Sequence, residues 1–311
     1  MRALLTGAGG FCGRRLRARL GELGHETFTM GLGPGLAASH VRLRSVTDLA
    51  AMRGAVARIR PDAVFHLAGT RDADPGVLTA VNEDYARALL TSLAQAEISG
   101  CRVVVFGSAA EYGDVPADRL PVAEDEPCRP ATAYGASKLR QTEAALAMKD
   151  SGLCVVVARP FNVIGPGLSE ELALGRFAAR IAAIARGECE PVVHTRDLGG
   201  SRDFIDVRDV AELALKLALA PAAAGQIVNL CTGVETPVRA ALTHMLRLAG
   251  ASAVIREQCP PETAGTGCNA GRSAGSTRKL AALTGEHPYL DFTQTLRDML
   301  GAAARGTCGL V

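Results

Sequence analysis

This 311-residue chain is poor in lysine: Lys138, Lys149, Lys216 and Lys279 stand among many arginines, and the formal net charge is only +2. The cations form no basic block, so the sequence carries no electrostatic footprint for nucleic acid. It also lacks a long apolar run. The best stretch, Leu213 to Ala224, is interrupted by Lys216 and Pro221 and falls short of the roughly 20 residues a membrane helix takes. Nine cysteines include no Cys-x-x-Cys pair, and an odd, scattered set argues against both a disulfide framework and a zinc site. No charged leader with an apolar h-region precedes the first predicted strand. These absences predict a cytoplasmic protein with reduced thiols, no membrane segment and no metal, long enough to hold one large domain or a large and a small one.

Arg2-Ala3-Leu4-Leu5-Thr6 reads as a short buried strand that runs into Gly7-Ala8-Gly9-Gly10-Phe11-Cys12-Gly13. Leu16 and Leu20 then begin a helical period. Glycines at 7, 10 and 13 allow a tight turn, close approach to a pyrophosphate and packing of helix on strand, with the anion at the helix N-terminus. By itself this could be a flexible glycine loop. Its place between a strand and an amphipathic helix favours dinucleotide binding.

Further along, apolar runs at Glu26 to Met30, Ala63 to Leu67, Val103 to Phe106 and Val155 to Ala158 alternate with helical stretches at 47–59, 78–97 and 134–150. That alternation predicts an α/β fold, a doubly wound parallel sheet of Rossmann type with helices on both faces. Ligands then belong at the carboxyl ends of the strands, where Gly7, His66, Ser108 and Pro160 fall. From Gly165 the pattern loosens. The predicted organisation is a dinucleotide-binding domain over 1–164, to which 203–232 returns, and a smaller substrate-binding region from 165–202 and 233–311.

Tyr134-Gly135-Ala136-Ser137-Lys138 puts a phenol and an ammonium four residues apart, on one face of a helix. A phenol titrates near ~10, so it serves acid-base chemistry at neutral pH only where a nearby cation favours its phenolate. Lys138 is placed to be that cation. The same spacing also occurs as a solvated pair on exposed helices.

Taken in order, the Gly7/Gly10/Gly13 turn, Asp62-Ala63-Val64-Phe65-His66-Leu67-Ala68, Ser108 to Gly113, Tyr134/Lys138, Arg159-Pro160-Phe161-Asn162 and Arg202 to Asp209 resemble the extended short-chain dehydrogenase/reductases, the NAD-dependent epimerase/dehydratase family. Within it, Gly107 to Gly113, Ile164 to Gly167, Val228 to Gly233 and Thr295 to Leu300 look most like GDP-4-keto-6-deoxy-mannose reductases. The resemblance implies a catalytic triad of Ser108, Tyr134 and Lys138, Ser108 being otherwise a strand-end serine that caps a turn. It implies cofactor contacts from Gly7, Gly10, Phe11, Cys12, Gly13, Arg14, Leu67, Ala68, Tyr134, Lys138 and Pro160. It implies a nucleotide-sugar substrate met by Ser108, Glu111, Asn162 and Arg202. For Arg202 the alternative is an ion pair with Asp206 or Asp209.

Two departures narrow this implication. Dehydratases of the family carry carboxylates where this chain has Ala109 and Ala110, so reduction of a keto group or epimerisation with tightly held NAD remains, beside a non-catalytic dinucleotide sensor. Glu111, on an extended segment, should point away from the face of Ala110 and is either structural, a substrate contact or catalytic. From Thr27 to Thr47 there is no Asp or Glu, although an acid about 20 residues after the glycine turn usually binds the ribose of NAD. That favours NADP over NAD, with Arg14, Arg15, Arg42 and Arg44 as possible partners of a 2′-phosphate. The usual diphosphate-binding arginine has no clear counterpart, and Arg256 or Arg272 could substitute. Helices 78–97 and 134–150 correspond to those forming a homodimer in relatives, with Leu89, Leu93, Leu139 and Leu146 as possible contacts.

Overall fold

The computed structural model describes the chain apart from residues 36–38, 97, 99, 197, 258–270 and 307–311, so a Pro/Gly-rich stretch of the sequence at 259–275 lies mostly outside the described residues. Seven strands make one parallel sheet: β1 (Arg2–Thr6), β2 (Glu26–Gly31), β3 (His40–Arg42), β4 (Ala63–His66), β5 (Arg102–Phe106), β6 (Cys154–Pro160) and β10 (Ile227–Leu230). Their order is β3-β2-β1-β4-β5-β6-β10, so the winding direction reverses between β1 and β4, where Thr6 pairs with His66. A crevice opens there.

Successive residues of each strand serve opposite faces. Ala3, Leu5, Val104, Phe106, Val156 and Ala158 join one buried cluster, while Leu4, Val103, Val105, Val155 and Val157 join another. That is why the strands read as continuous apolar runs. Helices α1 (Phe11–Glu22) and α7 (Val207–Leu219) cover the first face. The second is covered by α2 (Leu49–Ile59), α4 (Tyr85–Gln95) and α5 (Ala133–Leu146).

Several boundaries differ from the sequence reading. The stretch at 78–97 is three pieces, since α3 (Pro75–Leu78) runs into a π-helical segment, Thr79–Asp84, before α4. The wide turn carries Asn82 inward, where its amide bonds both backbone groups of Thr70 and the hydroxyl of Ser137. Helix α5 stops at Leu146, followed by turns. Leu89 and Leu93 are wholly buried in the chain's own core, packed on the sheet, so they are spent before any dimer forms. Leu139 and Leu146 are half-buried.

Smaller sheets follow. The strands β7 (Asn162–Ile164), β9 (Ser201–Asp206), β11 (Glu235–Pro237) and β13 (Arg272–Ser273) join round β9, and β8 (Val192–Thr195) pairs with β12 (Val254–Glu257). Residues 162–164 and 203–206, assigned to the large domain from sequence, therefore hydrogen-bond within a second sheet, because β7 pairs with β9 in parallel register. Helices α6 (Ala173–Ala185), α8 (Val238–Leu248) and α10 (Phe292–Ala304) bury their apolar faces together beside this sheet. A short α9 (Arg278–Thr284) packs near β10.

Candidate active site

The first turn after β1 depends on glycine. Gly7 has φ +67°, and a Cβ there would sit 2.6 Å from the backbone nitrogen of Ala68. At Gly13 a Cβ would lie 2.1 Å from the carbonyl oxygen of Gly7. The chain must turn back on itself with no side chains between. Helix α1 then starts at Phe11 with no side-chain cap and no acid in its first turn, leaving free amides and a positive dipole end suited to a diphosphate. Arg14 closes the turn by donating from Nη1 to the carbonyl of Gly9 at 2.8 Å. Cys12 follows Phe11 as a half-buried packing residue whose thiol is pushed up to about 12 by desolvation, opposed by Arg71. A thiol held protonated in this way is a poor nucleophile.

Under this turn, Thr6 Oγ1 and His66 Nδ1 share a 2.8 Å hydrogen bond, and burial pushes His66 down to about 3. The ring is a neutral strut. Leu67 and Ala68 continue from it along the rim of the crevice.

Tyr134 and Lys138 occupy α5 as the spacing predicts. Thr132 caps that helix by accepting from the amide of Gly135 at 3.0 Å. Gly135 itself lies so close to the Ala109–Glu111 turn that a Cβ would come within 2.4 Å of the carbonyl oxygen of Ala110. Close packing thus brings the start of α5, with Tyr134, against the segment that begins at Ser108. Lys138 is 4% exposed and donates from Nζ to the carbonyl of Phe106, at the end of β5. Burial brings its ammonium down to about 8, with Glu111 opposing the shift.

Ser108, Asn162 and Arg202 line one cleft of about 640 Å³, together with Ala109, Ala110, Arg71 and Arg272. The guanidinium of Arg71 lies 5.1 Å from the centre of the Tyr134 ring, joining that wall to the phenol. Ser108 lines the cleft and also caps the turn, its Oγ accepting from the amide of Ala110 at 3.2 Å.

Arg202 pairs with neither Asp206 nor Asp209. It donates to the carbonyls of Ser201 and Gly271, and desolvation lowers its pKa. A half-buried guanidinium held by neutral carbonyls retains its charge for an anion in the cleft. Asp206 is taken instead by Arg208 and Thr295, and Asp209 by His287. Arg272 reaches the same cleft but makes two 2.6 Å bonds to Glu235, whereas Arg256 lies exposed on β12 beside β8, away from it.

Glu111 corrects the sequence reading. The segment is a one-turn 3-10 helix, Ala109–Glu111, rather than extended, and the turn drives the carboxylate inward, where it is 0% exposed and bonded to Arg159. It cannot touch substrate.

Around this crevice of glycine turn, uncapped helix start and Tyr-x-x-x-Lys helix, residues 3–231 match the NAD dependent epimerase/dehydratase family. The chain belongs to that family. It is 31% identical over 247 residues to GDP-6-deoxy-D-mannose reductase of Pseudomonas aeruginosa, covering 77% of this chain and 79% of that protein. It is also 31% identical over 271 residues to UDP-glucose 4-epimerase of Mycolicibacterium smegmatis, with 81% and 83% covered. A solved structure of RMD from P. aeruginosa complexed with NADPH matches with a TM-score of 0.86 at 28% identity, covering 98% of this chain and 99% of that one.

Within this epimerase/dehydratase framework, the partners least visible from sequence are Arg159, Thr142 and Asn82. Arg159 lies in a motif that the sequence singled out, but its role as the buried partner of Glu111 had no local signal because the two are 48 residues apart. Asp203 is similar. It is 0% exposed and accepts from Thr232, Gly233 and Gly275, fastening the cleft wall.

Proposed function

We propose that this protein reduces the keto group of a nucleotide-linked 4-keto-6-deoxy sugar, using NADP in preference to NAD. The observation that carries the reading is that the start of α5, with Tyr134 and Lys138, packs against the end of β5 and the turn after it, where Ser108 lines one cleft with Asn162 and Arg202. Ala109 and Ala110 add no carboxylate for removing water. The cofactor, when bound, supplies the hydride. Gly7, Gly10, Phe11, Cys12 and Gly13 hold its diphosphate on the start of α1, with Arg14, Leu67, Ala68 and Pro160 along the same crevice. Tyr134 donates its hydroxyl proton to the carbonyl oxygen as that oxygen gains charge. Ser108 donates a hydrogen bond to the same oxygen and fixes its direction. Lys138 stays charged beside the phenol and supports the phenolate left behind. Arg202 takes the substrate diphosphate and Asn162 a neighbouring oxygen.

The NADP preference rests on β2, which ends at Gly31 without an acid and lies beside Arg42 of β3 in register. A carboxylate that would repel a 2′-phosphate is missing and a cation is next to the vacancy. An epimerase is the second reading, favoured by the equal identity to the M. smegmatis enzyme. Both readings use the same triad.

Tyr134→Phe tests the acid directly, because only a hydroxyl is lost. Turnover should fall by about 10² to 10⁴ while dinucleotide affinity barely changes. Near-normal turnover, or a loss of cofactor binding in proportion to activity, would falsify Tyr134 as the proton donor.

A further inference from the structure

We propose that Glu111 is a positioning residue for the triad, a buried carboxylate that fixes Ser108 against α5 and keeps the Lys138 ammonium charged. The assignment of Ser108 and Lys138 as triad members rests on the proposed function.

Glu111 joins three elements. One oxygen accepts the backbone N–H of Ser108 at 2.7 Å. The other accepts from Thr142 Oγ1 at 2.8 Å, and Thr142 stands one helical turn beyond Lys138 on α5. It also accepts from Arg159 of β6, at 2.8 Å from Nε and 2.7 Å from Nη2. The site is built around the carboxylate, since a Cβ on Gly107 would come within 2.4 Å of Glu111 Oε1. An isolated carboxylate is expensive to bury, and a buried ion pair can often be replaced by apolar side chains without loss of stability. Fold stability alone therefore gives weak reason for a carboxylate at this point.

The charges round Lys138 explain its use. His66, from β4, is held neutral by burial. Tyr134 lies on the same helix, and Arg71 reaches over Tyr134 from the loop after β4. Asn82 and Ser137 are polar but uncharged. Arg159 lies behind Glu111 and bonds it. Lys138 Nζ donates to the carbonyl of Phe106, and Glu111 Oε1 lies against the next two residues, Gly107 and Ser108. The two side chains thus meet the same stretch of backbone, and Glu111 is the anion that opposes the desolvation of Lys138. Desolvation pulls the ammonium toward neutrality, and this carboxylate opposes it. Without it, Lys138 would lose its proton at a lower pH and cease to support the phenolate.

The chain has only four lysines, so NMR of protein labelled with ¹³C at lysine Cε can follow Lys138 through a titration once each signal is assigned by Lys→Arg variants. Glu111→Gln keeps an oxygen for the amide of Ser108 and removes the charge. The Lys138 midpoint should fall by about half a pH unit or more. The high-pH limit of kcat should move down with it, while the Kd for NADPH stays within about twofold. Glu111→Gln also leaves the Arg159 cation buried without its anion. Should that variant fail to fold, Glu111→Gln/Arg159→Met removes both charges together, with a downward shift in the same direction but smaller, because the cation opposing Glu111 goes with it. An unmoved Lys138 midpoint in either folded variant overturns the proposal. Because the midpoint needs no substrate, it separates this inference from the reductase reading: inactive wild-type protein on keto-sugars would sink that reading and leave the titration standing.

Discussion

Two alanine substitutions in α1 should have opposite effects. Ala exceeds Gly in helix propensity by up to about 1 kcal/mol, and at Gly21 a Cβ meets nothing within 4 Å. Gly21→Ala should therefore stabilise the protein by a few tenths to about 1 kcal/mol. At Gly13 the same methyl would lie 2.1 Å from the Gly7 carbonyl oxygen and 2.8 Å from Ala8 Cα. These are backbone atoms with no rotamer to change, so the start of α1 must lift off the turn. Overpacking costs roughly 1–3 kcal/mol even where side chains can yield, which exceeds the propensity gain. The displaced amides are those assigned to the cofactor diphosphate, and a loss of about 1.4 kcal/mol there is tenfold in affinity. Thermal melts should move up for Gly21→Ala and down for Gly13→Ala. Fluorescence titration should show NADPH binding at least about tenfold weaker in Gly13→Ala alone. If Gly13→Ala melts and binds NADPH like the parent, the glycine turn does not hold the cofactor as argued.

The acid-free end of β2 and the adjacent Arg42 predict tighter binding of NADPH than NADH. Fluorescence titration of the apo protein with each should show it, a clear NADH preference would refute it, and Arg42→Ala should narrow the gap. A homodimer is expected through the outer faces of α4 and α5, using half-buried Leu139 and Leu146 rather than the core residues Leu89 and Leu93. A monomeric mass by light scattering at micromolar concentration would exclude that assembly.

Most of the large sheet was legible because the central strands β1, β4, β5 and β6 are buried on both faces and so declare themselves as apolar runs. The placement of Tyr134 and Lys138 on one helix was legible because they are four residues apart, and that of Ser108 because it follows a readable strand. What escaped was fixed by distant partners. The π-helical segment depends on Asn82 meeting Ser137, 55 residues on. The inward turn of Glu111 depends on Arg159 and on Ser108 capping a 3-10 turn. An extended reading could supply neither. The small sheet escaped for the same reason: β13 has two residues, and its place is set by pairing with β9 across some 70 positions. Arg202 showed the reverse case. Its nearby aspartates looked like partners in sequence, but they belong to Arg208, Thr295 and His287, which frees the guanidinium for the cleft.

The central claim is net reduction with Tyr134 as the acid. Its most direct measurement counts NADPH oxidised at 340 nm against sugar converted, by chromatography, with purified protein and a nucleotide-linked 4-keto-6-deoxy-hexose. The account predicts one NADPH consumed for each keto-sugar converted to its alcohol. Interconversion of two nucleotide-sugar epimers with no net change in cofactor would contradict it, and would assign the same triad to an epimerase.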